Sequence, residues 1–192
     1  MHRRPLTARA YESKRLRELA RRARGRQVLD VGYARGVNAR LLADDREVTG
    51  LDLEATGIPT GYQRHIRGDV FLIRDLDDGR RYDTIVAGEF IEHVETPYEL
   101  LHLFADVLAP GGRLILSTPN PVAFPVVLFE WMCSRSRFYT ENHTFYFPPR
   151  WVMRMLVRTG WHVDEVAPVG LWPLGLPCPV GLSYQVIYVA SR

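Results

Sequence analysis

Cysteine is nearly absent: the 192 residues hold only Cys133 and Cys178. Two such thiols exclude a disulfide framework, a cysteine zinc cluster and a CxxC redox pair. Lysine is scarcer still, with Lys14 alone. No apolar run approaches the ~18 residues of a transmembrane helix. Met1-His2-Arg3-Arg4-Pro5 leads into charge rather than an apolar stretch, so no secretory signal is read. There is no internal repeat and no low-complexity tract. These absences predict a cytoplasmic chain in a reducing compartment. What is present is ordinary globular composition, 46% apolar and 24% charged, and the length suits one domain over residues 1–192.

Charge is unevenly placed. Residues 1–26 carry ten basic side chains against two acidic ones, and the remainder carries 15 against 20, leaving +3 overall. Residues 1–25 read as a basic N-terminal segment with a helix over 8–24. Leu16, Leu19, Ala20 and Ala23 give it one apolar stripe. The simpler expectation is a surface helix with a solvated basic face. The sharper one is an arm for nucleic acid or an acidic membrane surface, but no aromatic residues are interleaved there.

Beyond Gly25 short apolar runs alternate with helical patterns. Strands are expected at 27–32, 47–52, 65–69, 82–88 and 113–118, and helices at 38–43 and 96–108, with a turn at Pro110-Gly111-Gly112. Alternation of this kind predicts a parallel sheet covered on both faces. Residues 119–149 form a long insert rich in aromatics and proline. A helix over 150–159 follows, then strands at 161–166 and 184–189. Their proline-rich connection suits an antiparallel pair.

The chemistry concentrates where strands end. Asp30-Val31-Gly32-Tyr33-Ala34-Arg35-Gly36 is a glycine turn after the first strand, where backbone can approach a ligand. Asp52, twenty residues after Gly32, ends the second strand where a carboxylate can accept hydrogen bonds from a ribose diol. Asp69 is a third acid of the same kind. A dinucleotide fingerprint would put three glycines round a pyrophosphate. Here the spacing is Gly32, Ala34, Gly36, and Asp30 precedes it. An acid repels a diphosphate and attracts an ammonium, which favours S-adenosylmethionine over a nicotinamide cofactor.

The runs Val28 to Gly36, Gly50-Leu51-Asp52, Gly68-Asp69-Val70, Glu89-Phe90-Ile91-Glu92-His93-Val94 and Leu108-Ala109-Pro110-Gly111-Gly112 resemble the class I S-adenosylmethionine-dependent methyltransferases. Among these they are most similar to the small-molecule branch that includes the ubiquinone-biosynthesis O-methyltransferases. The resemblance spans about residues 26–166 and departs from the family at Ala34, where a glycine is usual. It implies an α/β fold: a Rossmann-like doubly wound sheet, mostly parallel with an antiparallel C-terminal strand. It implies that Asp30, Gly32 and Gly36 hold the methionine end of S-adenosyl-L-methionine. Asp52 would bind the ribose with Leu53 beside the adenine, and Asp69 and Val70 would meet the adenine edge. Ala87, Gly88 and Glu89 would line the cleft near the transferable methyl.

Methyl transfer to a hydroxyl calls for a base, and transfer to a neutral amine much less so. His93 and His143 are the candidates. The simpler expectations are a helix-start histidine packed on the cofactor side and a loop histidine bonded to backbone. His143 is preferred as base because it lies in the insert, on the substrate side. No metal ligands are assigned. Within the insert, Val122 to Met132 is read first as a helix completing the core, then as a lid over an apolar acceptor or a patch for a membrane surface or second copy. Phe138, Tyr139, Phe145, Tyr146 and Phe147 read first as packing, or as an apolar wall. The expected activity is methylation of a small-molecule acceptor, foremost at oxygen. A nucleic-acid acceptor is disfavoured, because Gly88-Glu89-Phe90-Ile91 stands where base-methylating enzymes carry an Asn/Asp-Pro-Pro-aromatic motif. A non-catalytic cofactor-binding partner, peripheral membrane contact and completion of the site in a homodimer stay open.

Overall fold

A computed structural model describes residues 6–33, 39–43, 45–53, 60–132 and 143–192. Seven strands form one sheet: β1 (Gln27–Val31), β2 (Glu47–Asp52), β3 (Arg64–Arg67), β4 (Tyr82–Gly88), β5 (Leu108–Pro119), β6 (His162–Pro168) and β7 (Gln185–Ser191). The helices are α1 (Leu6–Arg22), α2 (Ala39–Leu42), α3 (Ile73–Leu76), α4 (Pro97–Val107), α5 (Phe124–Met132) and α6 (Pro149–Arg158). The strand order is β3-β2-β1-β4-β5-β7-β6. Neighbours from β3 to β5 run parallel, and β7 runs antiparallel to both β5 and β6. This is the doubly wound sheet with one reversed C-terminal strand that the motifs implied.

Strand periodicity divides the core. Leu29, Val31, Ile85, Ala87, Leu114 and Leu116 pack on one face with residues of α4 and α6. Val28, Val48, Val86, Ile115 and Ile187 pack on the other with Tyr11, Leu19, Ala20 and Ala23 of α1 and Leu42 of α2. Successive strand residues point to opposite faces, so both alternating sets are apolar and the strands read as near-continuous apolar runs. The order reverses between β1 and β4. Side by side, their carboxyl ends open the crevice in which doubly wound sheets hold ligands.

Three expectations need correction. The basic face of α1 is solvated only in part: Arg17 and Arg21 are exposed, but Arg15 is 5% exposed and Arg22 reaches Glu165 of β6 at 2.5 Å. β5 begins at Leu108, so Pro110-Gly111-Gly112 lies inside a strand whose register against β4 shifts between Tyr82 and Thr84. α5 is a helix, but it does not complete the core. Only Val126 of it is buried, while Phe124, Val127, Leu128, Trp131 and Met132 are exposed.

The entry to β1 depends on Gly25, whose φ is +72°. A Cβ there would overlap the Asp83 side chain. The Asp83 carboxylate accepts from the backbone N–H of Arg26 at 2.7 Å and of Gln27 at 2.9 Å. Gly79 has a similar φ, +69°, with open space around it. Gly79→Ala should therefore cost about 1 kcal/mol from backbone conformation alone. Gly25→Ala should cost at least about 2 kcal/mol, because it also disturbs the Asp83 bonds. Denaturant unfolding of the two variants measures the difference, and equal costs would mean that Gly25 is loosely packed.

Candidate active site

The turn after β1 is shaped by aromatic rings. Gly32 has φ +67°, and a side chain there would strike the ring of Phe90. Its N–H donates to Leu51 O at 2.9 Å. Asp30 is wholly buried and accepts from the Tyr62 hydroxyl at 2.6 Å. Burial and the Asp30 charge together push the Tyr62 phenol well above its ordinary pKa, so the bond is a neutral donor to a carboxylate. Tyr33 packs on Tyr62 with ring centroids 4.8 Å apart, and its hydroxyl meets His65 Nδ1 at 2.5 Å. Gly50 leaves room for these rings, since a Cβ there would lie 2.8 Å from Tyr33.

A cleft of about 550 Å³ opens at the carboxyl ends of β1 and β2 and is within the usual size for a small-ligand site. Asp52, Leu53, Asp69, Val70 and His93 line it together, with Val31, Leu51, Phe71 and Phe90 as apolar wall. Asp69 also caps the following turn, accepting from Phe71 N at 3.0 Å. Ala87 is not in the lining: it is buried in the core between Val31 and Leu116. Gly88 and Glu89 stand at the end of β4, facing away from this cleft towards α1, β5 and β7. Ala34, Gly36, Cys133, Phe138 and Tyr139 lie outside the described residues. A second concavity of similar volume lies at the amino ends of β4 and β5. Its arginines are engaged, Arg74 with Asp106, and Arg81 with the carbonyls of Asp106 and Leu108.

Beside the cleft the structure joins the two candidate histidines. The backbone N–H groups of Thr144 and Phe145 donate to Glu92 O at 2.9 and 3.0 Å, clipping the end of the insert to the turn after β4. His143 thereby meets His93 edge to face, with ring centroids 4.7 Å apart. Glu92, His93 and His143 each present a ligand-type atom, all within 4.8 Å of one another. Glu92 is 1% exposed. Neither of its carboxyl oxygens, nor His143 Nδ1, has a hydrogen-bond partner among the described residues. The Thr118 hydroxyl stands close by without completing a bond. Burial, then the charge of Glu89, pushes the Glu92 carboxyl up to about 8. Burial and the neighbouring His93 push His143 down, which keeps it neutral near pH 7.

Sequence reasoning quoted Glu92 within a motif without giving it a role, and it passed over Arg15, Ser117 and Gln185. Arg15 could have been found, because it falls four residues from both Tyr11 and Leu19, on the apolar face of α1.

A family model described as Methyltransferase domain (Methyltransf_23) matches residues 2–166. The chain belongs to the methyltransferase domain family. This methyltransferase is 26% identical to the ubiquinone biosynthesis O-methyltransferase of Nitrosospira multiformis over 192 residues, which covers 92% of this chain and 80% of that one. It is 29% identical to the enzyme of the same name from Xanthomonas euvesicatoria, over 82% of this chain and 69% of the other. Its fold is shared with a SAM-dependent methyltransferase from Archaeoglobus fulgidus, at TM-score 0.73 and 18% identity, covering 96% and 94% of the two chains. The glycopeptide N-methyltransferase MtfA, solved with S-adenosylmethionine, matches at TM-score 0.66 and 20% identity over 93% and 86%. Motifs, sheet order and family agree on a class I enzyme whose methyl donor is S-adenosylmethionine. The chain's own residues fit that donor: the apolar cleft carries acids at its rim, and the close-packed Gly32 turn has no space for a side chain. Among the described residues no helix is long and apolar enough to cross a membrane.

The raised Glu92 carboxyl sets a pH dependence. The folded state holds this proton more tightly than the unfolded chain does. Its stabilising contribution is therefore present below the ordinary carboxylate range and is lost as pH climbs towards 8. Thermal unfolding in chelator should show Glu92→Gln gaining on the parent protein as pH rises from 5 to about 8. Parallel curves would mean that Glu92 is ionised at no cost.

Proposed function

We propose that this methyltransferase moves the methyl group of S-adenosylmethionine to a hydroxyl oxygen of a small molecule. The observation that carries the reading is His143. It is held against His93 beside the cleft, its Nδ1 has no hydrogen-bond partner among the described residues, and burial favours its neutral form. A neutral amine acceptor needs no such base, whereas a hydroxyl of high pKa does. The O-methyltransferase names of the sequence relatives point the same way.

In this reading Asp52 accepts hydrogen bonds from the ribose, and Leu53, Val70 and Phe71 enclose the adenine. Asp69 meets the adenine edge, while Asp30, Gly32 and Gly36 serve the methionine end. The bound donor supplies a methyl carbon on a positively charged sulfur. The acceptor oxygen bonds to that carbon as the carbon–sulfur bond breaks, and His143 takes the hydroxyl proton. The protein's part is alignment, which alone can supply effective molarities of about 10⁵ M or more. The end of the insert, clipped at Thr144 and Phe145 to Glu92 O, lies on the acceptor side in this reading. Within the basic start, Arg15, Arg21 and Arg22 are paired to Glu12, Glu18 and Glu165. That disposition favours a small acceptor over nucleic acid.

A second reading of the same cluster is supported by the two Glu92 oxygens, which have no hydrogen-bond partner among the described residues. Carboxylate and imidazole are a donor set that suits a divalent cation. A cation there would lower the pKa of an acceptor hydroxyl.

Asp52→Ala should weaken S-adenosylhomocysteine binding about tenfold or more by calorimetry. Unchanged affinity would put the ribose elsewhere. His143→Ala should lower kcat on a hydroxyl acceptor by about 100-fold, while leaving that affinity intact. Turnover is read as product release over a panel of phenols, alcohols and amines. Amine turnover indifferent to His143 would reject oxygen as the target, and binding without any turnover would favour a non-catalytic module. EDTA separates the two readings of the cluster. Activity that survives chelation leaves the base, whereas loss that added Mg²⁺ or Zn²⁺ restores assigns the cation.

A further inference from the structure

We propose that Arg15 is a positioning residue of the methyl-transfer site, reaching from α1 beneath Gly88 to hold Glu89, and through it Phe90, against the cofactor turn. This rests on the reading that the Gly32 turn holds the methionine end of the donor.

An arginine could pair with Glu12 one helical turn away while staying in water. Arg15 makes that pair and is nevertheless almost wholly buried. Burying a cation is costly unless specific partners surround it, so the partners explain the position. Nη1 donates to Ser117 Oγ of β5 at 3.0 Å. Ser117 Oγ donates to Glu89 Oε1 at 3.2 Å, and Gln185 Nε2 of β7 donates to Glu89 Oε2 at 2.7 Å. Glu89 N donates to Ser117 O at 2.8 Å. Two strands thus bond one carboxylate directly, and α1 reaches it through Ser117.

Two backbone features show that this arrangement is built in. A Cβ at Gly88 would lie 2.8 Å from Arg15 Nη1 and 3.0 Å from Leu19 Cδ1, so the strand end is bare where the guanidinium sits. Glu89 has φ +55°, a left-handed conformation that residues with side chains rarely keep unless their surroundings enforce it. That conformation turns the chain so that the next ring, Phe90, lies on Gly32. The contacts form a line from α1 through Arg15, Ser117, Glu89 and Phe90 to the turn. The carboxylates of Glu89 and Glu12 favour the charged guanidinium against its burial, and the Arg15 charge acts back on the buried Glu89 carboxyl.

Calorimetric titration with S-adenosylhomocysteine tests this. Arg15→Met should weaken binding about tenfold, and Arg15→Lys should recover most of it. Ser117→Ala should weaken binding too. The double variant should be no weaker than Arg15→Met alone, because both interrupt one chain of bonds. Arg22→Gln loosens the same helix at its Glu165 pair and should bind like the parent protein, even with a lower Tm. Should Arg15→Met fail to fold, Arg15→Lys, Ser117→Ala and their double variant give the same comparison. Parent-like affinity in Arg15→Met or Ser117→Ala, or losses that simply follow Tm across all variants including Arg22→Gln, would overturn the proposal. Absence of binding by the parent protein would instead reject the donor site on which it rests.

Discussion

Charge buried at the carboxyl ends of the central strands is the constraint round which this domain is organised. Asp30, Glu92 and Arg15 are all nearly inaccessible to water, and a buried ion is tolerated only with matched partners. Asp30 has the Tyr62 hydroxyl. Arg15 has Glu12 and Ser117. Glu92 lacks a hydrogen-bond partner among the described residues and responds by holding its proton. Much of the local architecture follows from these needs: bare glycines at Gly32 and Gly50 with aromatic rings in the space they leave, and at Gly88 the Arg15 guanidinium and Leu19.

The insert shows how the end of a long loop is fixed in place. Its far end is fixed by two backbone bonds to a single carbonyl, that of Glu92, the residue whose carboxyl is buried in the same cluster. One short turn after β4 therefore orients the carboxyl, His93 and His143 together. Aromatic packing continues outward, with His143 on Tyr146 and Phe145 on Phe147 at centroid distances of 5.2 and 5.4 Å. A histidine fifty positions away in the chain becomes a neighbour of His93 without a regular element of its own.

The sheet was legible because buried parallel strands are written as apolar runs that end in turn residues, as in Val28 to Gly32 and Val48 to Asp52. The place of Asp52 and Asp69 on the cleft wall was legible because it depends on position along those runs. α5 was misread because apolar content was taken to mean burial. A helix apolar on every side gives no direction, and Trp131 at its end is 83% exposed. Arg15 and Glu92 were hidden for the opposite reason. A charge in a sequence reads as solvated, and only tertiary contacts from β5, β7 and the insert reveal that these two are enclosed. Pro110-Gly111-Gly112 carried turn chemistry that the sheet absorbed as an irregularity in register.

The placement of β7 between β5 and β6 has a consequence for biosynthesis. β6 leaves the ribosome before the strand that will join it to the sheet exists. Until β7 arrives, β5 presents an unprotected edge and β6 waits without a ladder, a stage at which exposed strand edges invite pairing with other chains. The last strand added is thus an inner one, and its insertion closes the sheet like a keystone.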